Sequence, residues 1–422
     1  MGRKKLFQSA IGFIAVAALV VGCGGAPTSA PAAEAPTATL VPPATSTPEP
    51  PPATPTAVPP PATPTPVPPS ATPEPSTATP TPQLPTPTLT SVPPSPTPMP
   101  PPAPTPAPPA DAVKLQNPQK YRVEFVATIR NEAFALDRLL VYLPRPIDWD
   151  GQADVTLEEV SPAPSREETD PVFGNGIYYW QMNNTPKQGE ALPFKIRFTY
   201  TAYEIATKIN PDDVQPYRQD DPLYKLYTRP ERFIEASDPQ IVEIANQVAA
   251  GETNSYRLAR KFYDYVIATA HYQLLGKGLL GAKTLITTGQ GECGDYSALF
   301  IALSRAKGIP ARPVVGYWAV SGLEQTHVWA EFYLQGFGWI PVDPTFGQSR
   351  PGIPGRPDYY FGNMDNQRVI LNKGYNIQMV PPAPDNYLAP LMQEQSWWFW
   401  GSSGDAATVS MERTSWTVTP IP

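Results

Sequence analysis

Cysteine and histidine are scarce in this chain: each occurs twice in 422 residues. Two cysteines exclude a disulfide framework. Basic clusters are missing from the body of the chain, where 28 Lys and Arg after residue 110 face 35 Asp and Glu. Without a basic patch, nucleic acid is not an expected partner. The apolar run at residues 11–21 is too short for a membrane-spanning helix. The acidic pairs Asp212-Asp213 and Asp220-Asp221 lack the spaced ligands of a calcium loop and read as solvated loops.

What is present begins with an export pattern. Arg3, Lys4 and Lys5 precede the apolar run, which ends in Val20-Val21-Gly22-Cys23. This resembles a bacterial lipoprotein signal. The resemblance implies that residues 1–22 are a signal peptide, that Cys23 is lipidated, and that the protein is extracytoplasmic and anchored to the cell membrane. An ordinary cleaved signal is the alternative, and it too exports the chain. Once Cys23 is acylated, Cys293 has no cysteine to pair with. A lone thiol outside the cytoplasm points to a task, although buried structural cysteines also exist.

Residues 23–110 are a stalk by composition. Of the 87 residues after Cys23, 34 are proline, and Glu34, Glu49 and Glu74 carry the only charges. Such a segment cannot bury enough apolar surface to offset its chain entropy, so it is expected to stay disordered with polyproline II character. It serves as a spacer.

The rest reads as α+β. Tyr121, Val123, Phe125, Ala127 and Ile129 alternate with polar residues, as do Phe194, Ile196, Phe198 and Tyr200, the period of half-buried strands. With shorter runs between them, five to seven strands make residues 111–207 an all-β sandwich domain. Helical spacing begins at Asp238-Pro239, with Ile241, Ile244, Ala245 and Val248 on one face. A second helix opens at Asn254 or Ser255 and buries Leu258, Ala259, Phe262, Tyr265 and Val266. Residues 208–385 form the second domain and 386–422 a C-terminal tail. In that tail Ser396-Trp397-Trp398-Phe399-Trp400 reads as a strand packed on the core or as an exposed aromatic patch.

Chemistry gathers in the second domain. Gly291-Glu292-Cys293-Gly294-Asp295-Tyr296 opens a helix whose apolar positions include Ala298, Leu299, Ala302 and Leu303 and which Gly308-Ile309-Pro310 ends. Cys293 thus sits at a helix N-terminus, where the dipole favours a thiolate of lowered pKa, and Gly291 and Gly294 leave room for a substrate carbonyl. Residues 326–334 and 338–343 form a hairpin. Centred on Gln335, it pairs numbers that sum to 670, with Val328 beside Val342, Ala330 beside Ile340 and His327 beside Asp343. Asp343 would then hold the imidazole while its other nitrogen faces the thiol, as in a nucleophile, base and acid triad. His271 reads as a capping or surface histidine.

The blocks Gly291-Glu292-Cys293-Gly294-Asp295-Tyr296-Ser297-Ala298, Gly308-Ile309-Pro310-Ala311-Arg312, His327-Val328-Trp329-Ala330-Glu331 and Gly338-Trp339-Ile340-Pro341-Val342-Asp343-Pro344-Thr345 resemble the transglutaminase-like branch of the papain-related cysteine enzymes. The resemblance implies a core of helices packed on an antiparallel sheet, with Cys293 as nucleophile, His327 as base and Asp343 as orienter. It implies a protein or peptide substrate and leaves hydrolysis and transamidation open. No cofactor or metal is expected, since nothing resembles the added domains of the calcium-dependent animal enzymes. Asp295, Trp329 and Glu331 read as structural support. A second oxyanion donor stays unassigned, with Gln290 near in sequence. The rival reading is a non-catalytic surface binding or assembly module that keeps the fold.

Overall fold

The computed structural model describes residues 112–422 except 321–322, 351 and 414–415, together with the short strand β1 (Lys5–Phe7). Apart from β1, the export segment, Cys23 and the Pro-rich stalk lie outside the described residues. The first strand of the sandwich, β2 (Val113–Asn131), buries Tyr121, Val123, Phe125, Ala127 and Ile129. Five more follow: β3 (Ala135–Pro144), β4 (Gln152–Ser161), β5 (Arg166–Thr169), β6 (Gly176–Asn183) and β7 (Glu190–Thr207). β4, β7 and β2 make one antiparallel sheet, and β3, β6 and β5 run in the other.

The helical segment then begins with α1 (Pro222–Thr228), α2 (Pro239–Ala249) and α3 (Ser255–Thr269). Asp238 caps α2 by accepting from Gln240 N, and Asn254 caps α3 by accepting from Tyr256 N and Arg257 N. Asn254→Ala is expected to lower stability by about 1 kcal/mol in a urea titration, the usual contribution of an N-cap. β8 (His271–Tyr272) runs parallel to β9 (Gln290–Gly291), with α4 (Ala282–Thr288) between them. α5 (Cys293–Ala306) is the central helix, buried from Gly294 to Arg305. Its inward positions meet the sheet formed by β10 (Ala311–Val320), β11 (Leu323–Leu334), β12 (Gly338–Val342) and β13 (Arg368–Lys373), in the order β12-β11-β10-β13. The short helix α6 (Pro344–Gly347) follows β12, and β14 (Ile377–Gln378) pairs with β15 (Leu388–Ala389).

The last segment departs from the expected tail. β16 (Ser396–Ser403) pairs with β3 on one side and β1 on the other, while β17 (Val409–Arg413) and β18 (Thr417–Ile421) line up in succession along β2. Strand pairing therefore runs across the boundary drawn at residue 386. Aromatic burial explains it: Trp397, Phe399 and Trp416 enter the same cluster as Phe125, Trp180 and Phe198, and Trp416 stacks on Phe125 with ring centroids 4.4 Å apart. Tyr317, Ala319, Val369 and Leu371 of the core sheet join that cluster as well, so the sandwich backs β10 and β13.

The hairpin register also differs from expectation. Ala330 faces Val342 and Phe332 faces Ile340, a slip of two residues. The turn centres on Gly336, whose φ of +91° is accessible to glycine, and Phe337 N donates to Leu334 O across it. A two-residue slip preserves which side chains share a face. His327 and Asp343 consequently stay on one side, although Asp343 lies beyond the end of β12 and caps α6 instead of pairing with β11.

Candidate active site

The start of α5 is fixed by two carboxylates that face backbone. Glu292 Oε1 accepts from Leu275 N and Gly276 N at 2.7 and 2.9 Å. Asp295 Oδ1 accepts from Leu280 N and Gly281 N at 2.8 Å each, and its Oδ2 accepts from Glu292 N at 3.0 Å. Together they hold the 273–281 connection against the helix. Asp295 is a support, as its sequence context indicated. Gly291 and Gly294, expected to clear a path for substrate, are instead small because protein fills that space. A Cβ at Gly291 would meet Asp295 Cβ at 2.9 Å, and one at Gly294 would meet Leu279 Cδ1 at 2.9 Å.

Cys293 is the first helical residue and is half-buried. The Val328 N–H lies against its thiol and favours the thiolate. Ser297, one turn on, donates to Val328 O at 3.2 Å, so α5 is pinned to β11 one residue from His327. The helix end does not lower the thiol as expected. Burial, with Glu292, Asp343 and Asp295 nearby, pushes Cys293 up to about 12. One helix terminus and one N–H cannot offset desolvation beside three carboxylates.

His327 Nε2 meets Asp343 Oδ2 at 2.7 Å, both buried. Asp343 Oδ1 accepts from Phe346 N at 3.0 Å, and Arg368 Nη1 donates to the same Oδ2 at 2.7 Å. Desolvation alone would raise Asp343, but His327, Arg368 and the Phe346 N–H hold it well below the usual carboxylate range. His327 is lowered, because burial outweighs the attraction of Asp343. Its unfolded value near 6.5 lies above its folded one, so the unfolded chain takes up the extra proton. Stability is expected to hold above about pH 6.5 and to fall as pH drops below it. Urea midpoints across pH 5–8 check this, and His327→Gln should flatten the slope whereas His271→Gln should not.

Arg368, which no sequence block flagged, completes the buried acid. It also holds Asp365 through Nη2 at 2.9 Å, and its carbonyl accepts from the Tyr200 hydroxyl at 2.9 Å, which ties the acid to the sandwich. Glu331 lies on the same strand as His327 and accepts from Arg312 Nε at 2.8 Å and Lys373 Nζ at 2.9 Å. It is a structural ion cluster, in line with its reading as support. Gln290 is exposed and occupies the parallel bridge to His271. His271 is likewise exposed. Tyr272, its neighbour, stands by the thiol, with an ionisation opposed first by burial and then by Cys293.

Residues 242–344 match the family model described as the transglutaminase-like superfamily. The chain carries a transglutaminase-like core. An uncharacterized protein of Haemophilus influenzae is 30% identical, over 31% of this chain and 40% of that protein. A protein-glutamine gamma-glutamyltransferase of Pseudomonas aeruginosa is 33% identical, over 15% of this chain and 11% of that protein. The chain thus spans less than half the length of the curated relatives it matches. Among solved structures, a candidate cysteine protease from Cytophaga hutchinsonii overlays with a TM-score of 0.49 at 18% identity, covering 73% of this chain and 92% of that one. The periplasmic domain of TgpA from Pseudomonas aeruginosa gives 0.31 at 15% identity, covering 54% and 88%. The transglutaminase-like core here is of α+β class, and it contains Cys293, His327 and Asp343 within the matched residues.

Proposed function

We propose that this protein is an extracytoplasmic cysteine acyl-transfer enzyme, anchored through lipid on Cys23, that acts on amide bonds of proteins or peptides. The observation that carries the reading is the 2.7 Å contact between His327 Nε2 and Asp343 Oδ2 on the strand that meets the Cys293 thiol. With Nε2 engaged by the acid, Nδ1 is the ring nitrogen free to take a proton. Cys293 is raised and His327 lowered, so the resting pair is a neutral thiol and a neutral imidazole. Proton transfer then accompanies attack.

In that reaction the thiol proton passes to His327 Nδ1 as sulfur bonds to the amide carbon. The tetrahedral oxyanion faces the first backbone N–H groups of α5, which have no partner within the helix. The carbon–nitrogen bond breaks, the departing amine takes the proton from His327, and a thioester remains on Cys293. Water or a second amine then attacks the thioester, returning the thiol and releasing acid or a new amide. Asp343 holds the imidazole and stabilises its cationic form.

An electrophilic thiol probe, followed by amine incorporation and peptide release, tests this in wild type, Cys293→Ala and His327→Ala. Cys293→Ala is expected to lose labelling at that site and all turnover. Amine incorporation without release selects transfer, and release without incorporation selects hydrolysis. A wild-type protein inert to probe and acyl donors alike favours the rival surface module.

A further inference from the structure

One cation beside the thiol has no assigned task. Arg350 follows α6 in a tight loop, where its N–H donates to Ile353 O at 2.8 Å and Ile353 N–H donates back at 2.9 Å. Its guanidinium lies 4.1 Å from the centre of the Tyr272 ring and interacts with the Tyr272 hydroxyl, the same hydroxyl whose ionisation Cys293 opposes. Tyr272 meets Tyr296 edge-on, with centroids 6.1 Å apart. The Tyr296 hydroxyl donates to Gln348 Oε1 at 2.9 Å, and the Gln348 amide nitrogen is tied to Ile267 O and Ala270 O. These bonds make the wall under Arg350 rigid.

The surrounding charges leave Arg350 available. Arg305, Arg312 and Arg368 each hold a carboxylate, whereas among the described residues Arg350 holds none. Its Nε is buried without a hydrogen-bond partner, an arrangement that native interiors rarely tolerate. The carboxylates nearest the thiol are turned away from it: Glu292 and Asp295 bond backbone N–H groups, and Asp343 is taken by His327 and Arg368. A planar guanidinium held on an aromatic face, with a free donor, is suited to a carboxylate arriving from outside.

We propose that Arg350 is a specificity-determining residue that binds a carboxylate on the acyl group delivered to Cys293. The preferred acyl donor is thus anionic close to the scissile amide, through either a free α-carboxylate or an acidic side chain. This rests on Cys293 as the acyl acceptor, and the test separates the two claims. The first arm compares alkylation of full-length protein by iodoacetate and iodoacetamide, counted on the peptide that carries Cys293. The ratio of the two rates is expected to fall about tenfold in Arg350→Gln, the effect of one charge-assisted hydrogen bond, and to recover in part in Arg350→Lys. An unchanged ratio in both variants overturns the proposal.

The second arm uses p-nitroanilides. Glutamic acid γ-anilide is paired with its α-carboxamide, and acetyl-aspartyl anilide with acetyl-asparaginyl anilide. A preference of about tenfold for the charged member of one pair, lost in Arg350→Gln, identifies which carboxylate is read. Equal turnover within both pairs overturns the proposal while leaving the enzyme intact. Turnover of none of the four, with the alkylation ratio still shifted, supports the anion site and removes the enzymatic reading.

Discussion

Replacing His327 by Ala is expected to lower the acyl-transfer rate at pH 7 by about 10³–10⁵-fold. The size follows from the thiol. With burial pushing Cys293 up to about 12, only about one molecule in 10⁵ carries the thiolate at pH 7. An enzyme with its base in place does not draw on that population, because the imidazole removes the proton during attack. Without the base, turnover depends on the spontaneous thiolate and on the remaining positioning of the site. A diagnostic follows: the His327→Ala rate should climb about tenfold per pH unit from 7 to 10, as each unit raises the thiolate fraction tenfold, while the wild-type rate changes far less. Steady-state kinetics on an activated ester across that range checks it. A variant retaining more than a tenth of wild-type activity at pH 7 would show that His327 is not the base.

Glu331→Leu is the second large effect, this time on stability. The carboxylate sits between the Arg312 and Lys373 side chains, and Lys373 is fully buried. Lys373 is lowered, by burial first, despite the attraction of Glu331, so on losing that partner it can shed its proton. Arg312 cannot, because a guanidinium stays charged throughout the accessible range. Breaking a buried ion cluster by removing one member typically destabilises by about 3–5 kcal/mol, which corresponds to a fall in melting temperature of roughly 10 °C for a folded unit of this size. Calorimetry checks this. Adding Arg312→Leu to Glu331→Leu should recover part of the loss, since the stranded cation is then gone. A single variant that melts within 2 °C of wild type would mean the cluster is hydrated in solution.

Local rules carried much of the architecture. The alternation in residues 121–130 marked β2 because period-two burial is a property of a strand itself, and Asp238 and Asn254 marked helix starts because capping is settled within three residues. Side-chain parity in the hairpin was also legible, since His327, Val328 and Ala330 fix which face is apolar. Its register was not, because it depends on Gly336 taking a positive φ, a choice between neighbouring turn residues that pattern alone does not decide.

The remaining departures arise from contacts distant in sequence. The pKa of Cys293 is set by desolvation and by Asp343, fifty residues away, whereas the helix dipole that pattern reading sees is local. Arg368 and Arg350 gave no signal because an isolated arginine carries no periodicity, and each acquires meaning only from what folding brings beside it. Trp397, Phe399 and Trp416 were visible as an aromatic segment, but their partners on β2, β3 and β6 lie more than two hundred residues earlier.

The placement of β16, β17 and β18 has a consequence for assembly. Translation reaches these strands only after the whole acyl-transfer segment has been made, yet they pair with strands made before it. A nascent chain therefore holds open sheet edges while the thiol, imidazole and carboxylate are already synthesised. Tyr200 braces Arg368, and Arg368 braces Asp343, so the acid gains its full support only when the sandwich around β13 closes. The order of synthesis delays a competent nucleophile until the flanking sheets are sealed.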